Sequence, residues 1–193
     1  MIWTALALLI SYVLGSIPTG LWLGLRLRKI DIREHGSKNI GATNTMRTLG
    51  KGLGVIALAG DMAKGYVSVV AIASLSEWDY APIVCGLAAI AGHTWSLFLK
   101  FRGGKGVATS AGVFFGLAAI PMGIALVVFL MVIGVTRMVS AGSILAAVAL
   151  AVSVFLFSDD LVLRIIATCV ALLVIVRHRD NIRRILKGTE NRI

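Results

Sequence analysis

The chain has 193 residues, of which 58% are hydrophobic and only 15% are charged. Its long charge-poor runs exclude an ordinary soluble domain and predict an all-α integral membrane protein. The formal net charge of +10 would suit a nucleic-acid partner, but the basic residues stand in separate clusters between apolar runs. That placement is typical of a membrane topology signal, and we expect no nucleic-acid binding.

Seven apolar segments approach the roughly 20 residues that a bilayer-spanning helix needs. The first has no charge within residues 1–25 and so lacks the basic start of a signal peptide, which predicts a retained helix. Pro121 separates two short segments and is expected to mark a turn, although one long tilted or re-entrant pair is the alternative there. Within a single domain covering 1–193, the predicted spans are 3–25, 53–75, 81–99, 107–120, 122–136, 138–157 and 161–176.

The basic residues predict the orientation of these spans. If all seven segments cross, 17 of the 19 Lys and Arg residues lie on one side. The positive-inside rule makes that side cytoplasmic, which places the N-terminus outside and the C-terminus in the cytoplasm. The opposite turns, "SEWDY" and "LFSDD", are acidic and contain no Lys or Arg, in agreement with this orientation.

The first long cytoplasmic stretch is "DIREHGSKNIGATNTMRTLGKG". Its Gly, Ser, Thr and Asn residues supply backbone and side-chain donors around several cations, a combination suited to an oxyanion. The alternative is a solvated loop whose basic residues only set topology.

Two polar intrusions lie within the predicted spans. Asp61 and Lys64 are three residues apart in the second span, and His93 lies about two turns before Lys100 in the third. Ionisable groups inside a membrane indicate a functional site, but a self-neutralising Asp–Lys pair that serves packing is equally consistent.

The second cytoplasmic stretch is "GHTWSLFLKFRGGKGVATS". Its adjacent glycines let the main chain approach an anion, and a helix starting near Val107 would offer its first amides. The segment is not a Walker A loop, because Leu99 occupies the place of the first glycine and Gly106 follows Lys105 where Ser or Thr belongs. A nucleotide is therefore not indicated.

The tail, "RHRDNIRRILKGTENRI", predicts an amphipathic helix on the membrane surface. A functional interpretation depends on His178 and Asn181, which share a face if the preceding helix continues. The chain has no HxxxxD element, no GxSxG elbow, no HExxH motif and no carboxylate cluster, so we expect neither a serine hydrolase nor a bound metal. Cys85 and Cys169 lie in apolar runs and indicate no disulfide.

Four motifs, in order along nearly the whole chain, resemble the PlsY family of bacterial acyl-phosphate:glycerol-3-phosphate acyltransferases. They are "GSIPTG", "DIREHGSKNIGATNTMRTLG", "GHTWSLFLKFRGGKGVAT" and "RHRDNI" with a later Glu190. The resemblance implies a multi-pass enzyme of the bacterial cytoplasmic (inner) membrane that needs no cofactor. It would transfer a fatty acyl group from acyl phosphate to the 1-hydroxyl of glycerol 3-phosphate, giving lysophosphatidic acid and inorganic phosphate. This is the first acylation of phospholipid synthesis.

The resemblance also implies partners and residue roles. The partners are the two substrates, membrane lipid and a functional handover from the enzyme that forms acyl phosphate. The implied catalytic residues are Ser37, Arg47, His178 and Asn181; the substrate-binding residues are Asn39, Thr43, Asn44, His93, Arg102, Gly103, Gly104, Lys105 and Gly106; Glu190 is structural.

Three mechanisms and two rival functions stay open at this stage. The 1-hydroxyl attacks the acyl carbonyl directly, with either the departing phosphate or His178 as proton acceptor, or it reacts with a covalent acyl-Ser37. One rival is a phosphate transporter, although its site should lie near the midplane, whereas these cations cluster at one interface. The other is a lipid-binding scaffold.

Overall fold

A computed structural model describes residues 1–193, and it contains helices and no strand. The all-helical prediction is therefore confirmed. The chain forms two compact units, Met1–Leu117 and Ala118–Ile193.

The first unit contains six α-helices. α4 continues into a π-helical turn at Ser68–Ile72 and a 3₁₀ turn at Ala73–Leu75, and a second 3₁₀ turn at Leu97–Leu99 follows α5. The α-helices are α1 (Ile2–Ser16), α2 (Thr19–Leu23), α3 (Ala42–Leu49), α4 (Lys51–Val67), α5 (Ala81–Thr94) and α6 (Val107–Leu117).

The second unit contains the remaining four α-helices. They are α7 (Ala119–Thr136), α8 (Val139–Phe157), α9 (Leu161–Arg177) and α10 (Arg179–Leu186). The start of α9 follows directly from the sequence, because the Asp160 carboxylate caps it. Its Oδ1 accepts hydrogen bonds from the backbone N–H groups of Val162 at 2.8 Å and Leu163 at 3.3 Å.

Pro18 breaks the first predicted span. The segment Thr19–Arg28 bends by 48° from α1, since proline cannot continue a helix interior. The carbonyls released at the break accept other donors: Ser16 O accepts from Ser96 Oγ at 2.6 Å, and Ile17 O accepts from Lys64 Nζ at 2.9 Å. The break thus ties α1 to α4 and to the chain that follows α5, and it leaves these carbonyls satisfied away from water.

Small residues set the spacing of the helices in the first unit. A Cβ on Gly15 of α1 would collide with the backbone of Ala89 in α5, and one on Gly65 of α4 would collide with the Thr109 carbonyl in α6. Close backbone approach at small residues is the usual way in which membrane helices associate. These contacts position α5 and α6, the two helices that flank the glycine-rich loop.

The predicted turn at Pro121 is wrong. The chain breaks at Ala118, whose φ of −151° and ψ of 71° are not helical, and Pro121 lies in the first turn of α7. Proline fits there because the first-turn N–H groups have no intrahelical carbonyl to bind.

The expectation of continuous helix from His93 to Lys100 is also wrong, because α5 ends at Thr94. The condition under which His178 and Asn181 would share a face of one continuing helix is not met, because α10 bends by 58° from α9 at His178. In addition, the sequence did not predict α3, which lies inside the stretch 31–52.

Four helices are long and apolar enough to cross a bilayer, and the number rises to six if each bent pair forms one span. α6, with 11 residues, is shorter than these. The seven predicted spans therefore require α6 to cross the membrane in addition to the six candidate spans.

Candidate active site

Asn44 organises the stretch 31–52. Its side chain is buried, with 1% of the residue exposed. Its Nδ2 donates to the carbonyls of Ile32 and Asn39, both at 2.8 Å, and its Oδ1 accepts from the Ser37 N–H at 2.8 Å. One amide on α3 therefore closes the loop that carries Ser37, whose own side chain is exposed.

A glycine completes this loop. Gly36 has a φ of +57°, and a Cβ there would collide with Asn44 Oδ1. Only glycine meets both demands without strain. Asn39 Oδ1 accepts from the Gly41 N–H at 2.9 Å and fixes the approach to α3.

The cations of this stretch differ in their surroundings. Arg33 forms an ion pair with Asp31 at 2.6 Å, and its hydrogen bonds hold the pKa of the Asp31 carboxyl below its usual value. Arg47 lies one helical turn after Asn44 on α3, with an exposed side chain. Arg33 is thus engaged within its own loop, while Arg47 extends from the helix that holds Ser37 in place.

The glycine-rich loop lies across the end of α5. The N–H groups of Gly103 and Gly104 donate to the carbonyls of Thr94 at 3.1 Å and His93 at 3.0 Å. These two amides therefore hold the loop on α5 and are not directed at an anion. The loop then reaches α6, which begins at Val107 as predicted, and its first amides have no intrahelical acceptors.

Thr94 and Ser110 bring hydroxyl groups beneath this loop. Gly106 has a φ of +80°, and a Cβ there would lie 3.3 Å from Thr94 Oγ1 and 3.9 Å from Ser110 Oγ. Both hydroxyls are buried without a hydrogen-bond partner in the protein. Lys105 is partly buried and lies between Gly104 and Gly106 in sequence.

A buried ionic cluster joins α4 to His93 of α5. Asp61 Oδ1 is 2.8 Å from Lys64 Nζ and 3.7 Å from His93 Nδ1, and it accepts a hydrogen bond from Thr19 Oγ1 at 3.0 Å. Asp61 and Lys64 thus neutralise each other inside the apolar unit. Thr19 was not singled out from the sequence, because only the bend at Pro18 brings it to Asp61.

His178 lies at the junction of α9 and α10, and it is buried. Its Nδ1 is 2.7 Å from the Val174 carbonyl. A carbonyl only accepts, so Nδ1 carries the proton, and in the neutral ring the basic lone pair belongs to Nε2.

Glu190 connects the tail to two helices of the second unit. Its Oε1 accepts from Asn181 Nδ2 at 2.6 Å and from Ser140 Oγ at 2.8 Å, and its Oε2 accepts from Arg184 Nε at 2.7 Å. Burial acts to raise the pKa of Glu190, but these hydrogen bonds outweigh it and the pKa lies below its ordinary value. Ser140 is a member of this network that the sequence did not reveal.

The hydrogen bonds group the predicted site residues into three sets. Ser37, Asn39 and Asn44 form the first, His93 with Gly104 the second, and Asn181 with Glu190 the third. Gly103 bonds to Thr94, the neighbour of His93. Thr43 is half-buried on α3, and Arg102 is exposed at the start of the glycine-rich loop.

Sequence comparison places the chain among known enzymes. A family model for glycerol-3-phosphate acyltransferase matches residues 5–188. The glycerol-3-phosphate acyltransferase of Macrococcus caseolyticus is 46% identical over 189 residues, which cover 98% of this chain and 96% of the relative. That of Geobacter sulfurreducens is 46% identical over 183 residues, which cover 95% and 94%.

Structural comparison agrees. The crystal structure of PlsY (YgiH), an integral membrane glycerol 3-phosphate acyltransferase, in its glycerol 3-phosphate form matches with a TM-score of 0.92 and 34% identity, over 98% of this chain and 95% of that chain. The lysophosphatidic acid form matches with a TM-score of 0.89, the same identity and the same coverage.

These likenesses extend over nearly the full length of both partners and include a membrane protein of the same helical fold. The apolar helices of this chain are accordingly embedded in a membrane. The chain belongs to the glycerol-3-phosphate acyltransferase family.

Proposed function

We propose that this glycerol-3-phosphate acyltransferase uses acyl phosphate as its donor and releases lysophosphatidic acid and inorganic phosphate. The observation that carries the proposal is the pair of cation-bearing loops in the first unit, each braced by hydrogen bonds. The structural relative is described in a glycerol 3-phosphate form and a lysophosphatidic acid form, which supports the acceptor and the product.

Phosphate chemistry explains why two basic loops are needed. Acyl phosphate and glycerol 3-phosphate each carry a phosphate, and their mutual repulsion has to be offset where they react. Arg and Lys side chains give charge-assisted hydrogen bonds to phosphate, and Arg does so in a bidentate manner. We assign Arg47 and Ser37 to one phosphate-binding loop and Lys105, with Arg102 and the start of α6, to the other.

The remaining residues named from the family motifs divide between contact and support. Asn44 and Asn39 shape the Ser37 loop, and Gly103, Gly104 and His93 anchor the glycine-rich loop. Thr43 and Gly106 lie next to these groups and are proposed to border the substrates. Because the Gly103 and Gly104 amides bind α5, the positive charge at this loop comes from side chains and the α6 terminus.

Direct transfer is the proposed mechanism. The 1-hydroxyl of glycerol 3-phosphate attacks the acyl carbonyl, the carbonyl–phosphate bond breaks, and the departing phosphate accepts the hydroxyl proton. Acyl phosphate is an activated anhydride, so orientation and charge stabilisation supply most of the catalysis. His178 and Asn181 orient glycerol phosphate in the same reaction, and Glu190 holds the Asn181 amide in place.

Substitution of His178 separates this mechanism from general-base catalysis. His178→Asn keeps a donor for the Val174 carbonyl, whereas His178→Gln retains an amide close to the position of Nε2. If His178 only orients glycerol phosphate, Gln should retain more activity than Asn, with KM raised in both. A loss of kcat of about 10²–10⁴-fold in both variants with unchanged KM would instead identify His178 as the base.

The donor is tested with the purified protein in detergent. Palmitoyl phosphate and glycerol 3-phosphate should yield lysophosphatidic acid and one equivalent of phosphate, and palmitoyl-CoA should not replace the donor. Turnover of glycerol 3-phosphate with palmitoyl-CoA as the sole acyl donor would contradict the acyl-phosphate assignment. Labelled palmitoyl phosphate without acceptor tests the covalent route, since direct transfer predicts no label on Ser37.

We further propose a single functional domain with seven membrane crossings in the bacterial cytoplasmic membrane. The N-terminus would lie outside and the C-terminus in the cytoplasm. The concentration of Lys and Arg in four segments supports this orientation. It places both basic loops where aqueous glycerol phosphate meets membrane-soluble acyl phosphate, which the enzyme that forms this donor can hand over.

A further inference from the structure

Asp61 takes no part in the transfer described above, yet it is only 2% exposed and lies 3.7 Å from His93, whose ring packs against the glycine-rich loop. We propose that Asp61 is a positioning residue, which fixes His93 beneath Gly104 and thereby sets the place of Lys105 for glycerol phosphate. This inference rests on the proposed function.

The Asp61 carboxylate lies in a polar environment. Asp61 Oδ1 has three buried or part-buried polar neighbours: Lys64 Nζ at 2.8 Å, Thr19 Oγ1 at 3.0 Å and His93 Nδ1 at 3.7 Å. Lys64 also donates to the Ile17 carbonyl at 2.9 Å. The ammonium group alone balances the charge of Asp61, so the approach of His93 is not needed for neutrality.

His93 connects Asp61 to the substrate loop. A Cβ on Gly104 would collide with His93 Nε2, so the ring packs directly against the loop backbone. The His93 carbonyl also accepts from the Gly104 N–H at 3.0 Å. The two ring nitrogens therefore face Asp61 on one side and Gly104 on the other, and a rotated ring would displace the residue that precedes Lys105.

The energetics of the Asp61–Lys64 pair also favour a positioning role. A buried ion pair is costly to desolvate, and replacing such a pair with apolar residues is often neutral or stabilising. Asp61 and Lys64 lie in an apolar helix with 2% and 4% side-chain exposure. Stability alone gives little reason for this pair, and the placement of His93 is the role that we assign to the carboxylate.

A double substitution separates positioning from charge balance. Asp61→Asn with Lys64→Met removes both charges together, and the new Asn still accepts a hydrogen bond from Thr19. We expect this variant to show a KM for glycerol 3-phosphate raised about tenfold, with kcat within about threefold of the wild type. The Kd for glycerol 3-phosphate, measured by calorimetry without acyl donor, should rise in parallel. A wild-type KM and Kd would reduce Asp61 to a packing ion pair and overturn the proposal.

His93 provides the second readout. In the Lys64→Met background, Asp61→Asn should have no further effect on KM once His93→Gln is present, because Asp61 acts through the ring. If the KM changes caused by the Asp61 and His93 substitutions instead multiply, Asp61 acts independently of the His93 ring, which contradicts the proposal. If the charge-free variant does not fold, Thr19→Val carries the test, since it removes one hydrogen bond to Oδ1 and keeps both charges. It should raise KM about threefold, and an unchanged KM overturns the proposal.

The wild-type measurements keep the two proposals apart. Wild-type protein that neither binds nor acylates glycerol 3-phosphate defeats the proposed function, and this inference with it. Wild-type activity combined with unaltered KM and Kd in the variants defeats only the role of Asp61.

Discussion

Single side chains carry separate tasks in the two loops of the first unit. Asn44 is buried and its side-chain amide forms hydrogen bonds with the loop backbone, whereas Ser37 and Arg47 are exposed. The sequence indicated all three as site residues but did not distinguish support from contact. That distinction depends on burial, which the tertiary structure alone specifies.

Lys105 is the residue whose removal should weaken acceptor binding most directly. We expect Lys105→Ala to raise the KM for glycerol 3-phosphate by about 10–100-fold, because a hydrogen bond to a charged group contributes roughly 1.5–3 kcal/mol. Steady-state kinetics at saturating palmitoyl phosphate measure this effect. Lys100→Ala is the matched control, since Lys100 is an exposed lysine of the same stretch. An unchanged KM for Lys105→Ala would remove Lys105 from the phosphate site.

Between elements, the glycine-rich loop depends on its fit against α5. Gly104→Ala places a methyl group against His93 Nε2. We expect the loop to move away from α5 and the KM for glycerol 3-phosphate to rise at least tenfold, since buried overpacking typically costs about 1–3 kcal/mol.

Gly52→Ala is the control for this substitution, because a Cβ there meets nothing within 4 Å. It should leave both KM and kcat unchanged. Equal behaviour of the two variants would show that contact with His93 does not set the loop position.

In the second unit, the hydrogen bonds of Glu190 link α8, α10 and the tail. The pKa of Glu190 is lowered on folding from its ordinary value of 4.5. Its contribution to stability is therefore complete above about pH 4.5 and is lost as the pH falls through the folded-state pKa.

Thermal unfolding in detergent measures this contribution. We expect the wild-type Tm to fall more steeply below pH 4.5 than the Tm of Glu190→Gln, which cannot titrate. At pH 7 the variant should be the less stable of the two, because it loses the charge-assisted bond to Arg184. If the Tm of the wild type and the Tm of Glu190→Gln fall in parallel with pH, protonation of Glu190 does not cause the acid sensitivity of the fold.

At the scale of the whole molecule, the path of α6 decides the topology. Ala119 and Ile120 are exposed at the break between α6 and α7, and they are therefore suitable for cysteine substitution. In a Cys169→Ser background, which removes the exposed natural thiol, a membrane-impermeant maleimide should label Ala119→Cys from outside intact spheroplasts. Labelling only after the cytoplasm is opened would support a re-entrant pair and contradict seven crossings.

The sequence by itself determined the class of protein, the helical architecture and the family. The lengths of the apolar segments and the positions of the charges are properties of the sequence alone. The order of the four motifs also does not depend on how the helices between them pack. α6 begins at Val107 and α9 at Leu161, where the corresponding apolar segments begin.

Tertiary structure decided where the helices bend and which polar groups meet. The carbonyls released at the Pro18 break accept from Ser96 and Lys64, which lie far away in sequence. The breaks at Ala118 and His178 lie where the backbone angles are not helical. The contacts of Asp61 with Thr19 and His93 join residues separated by 42 and 32 positions, so no local pattern predicts them. Buried polar groups have to find partners wherever packing brings them together, and this physical requirement is what turned scattered motif residues into two braced loops.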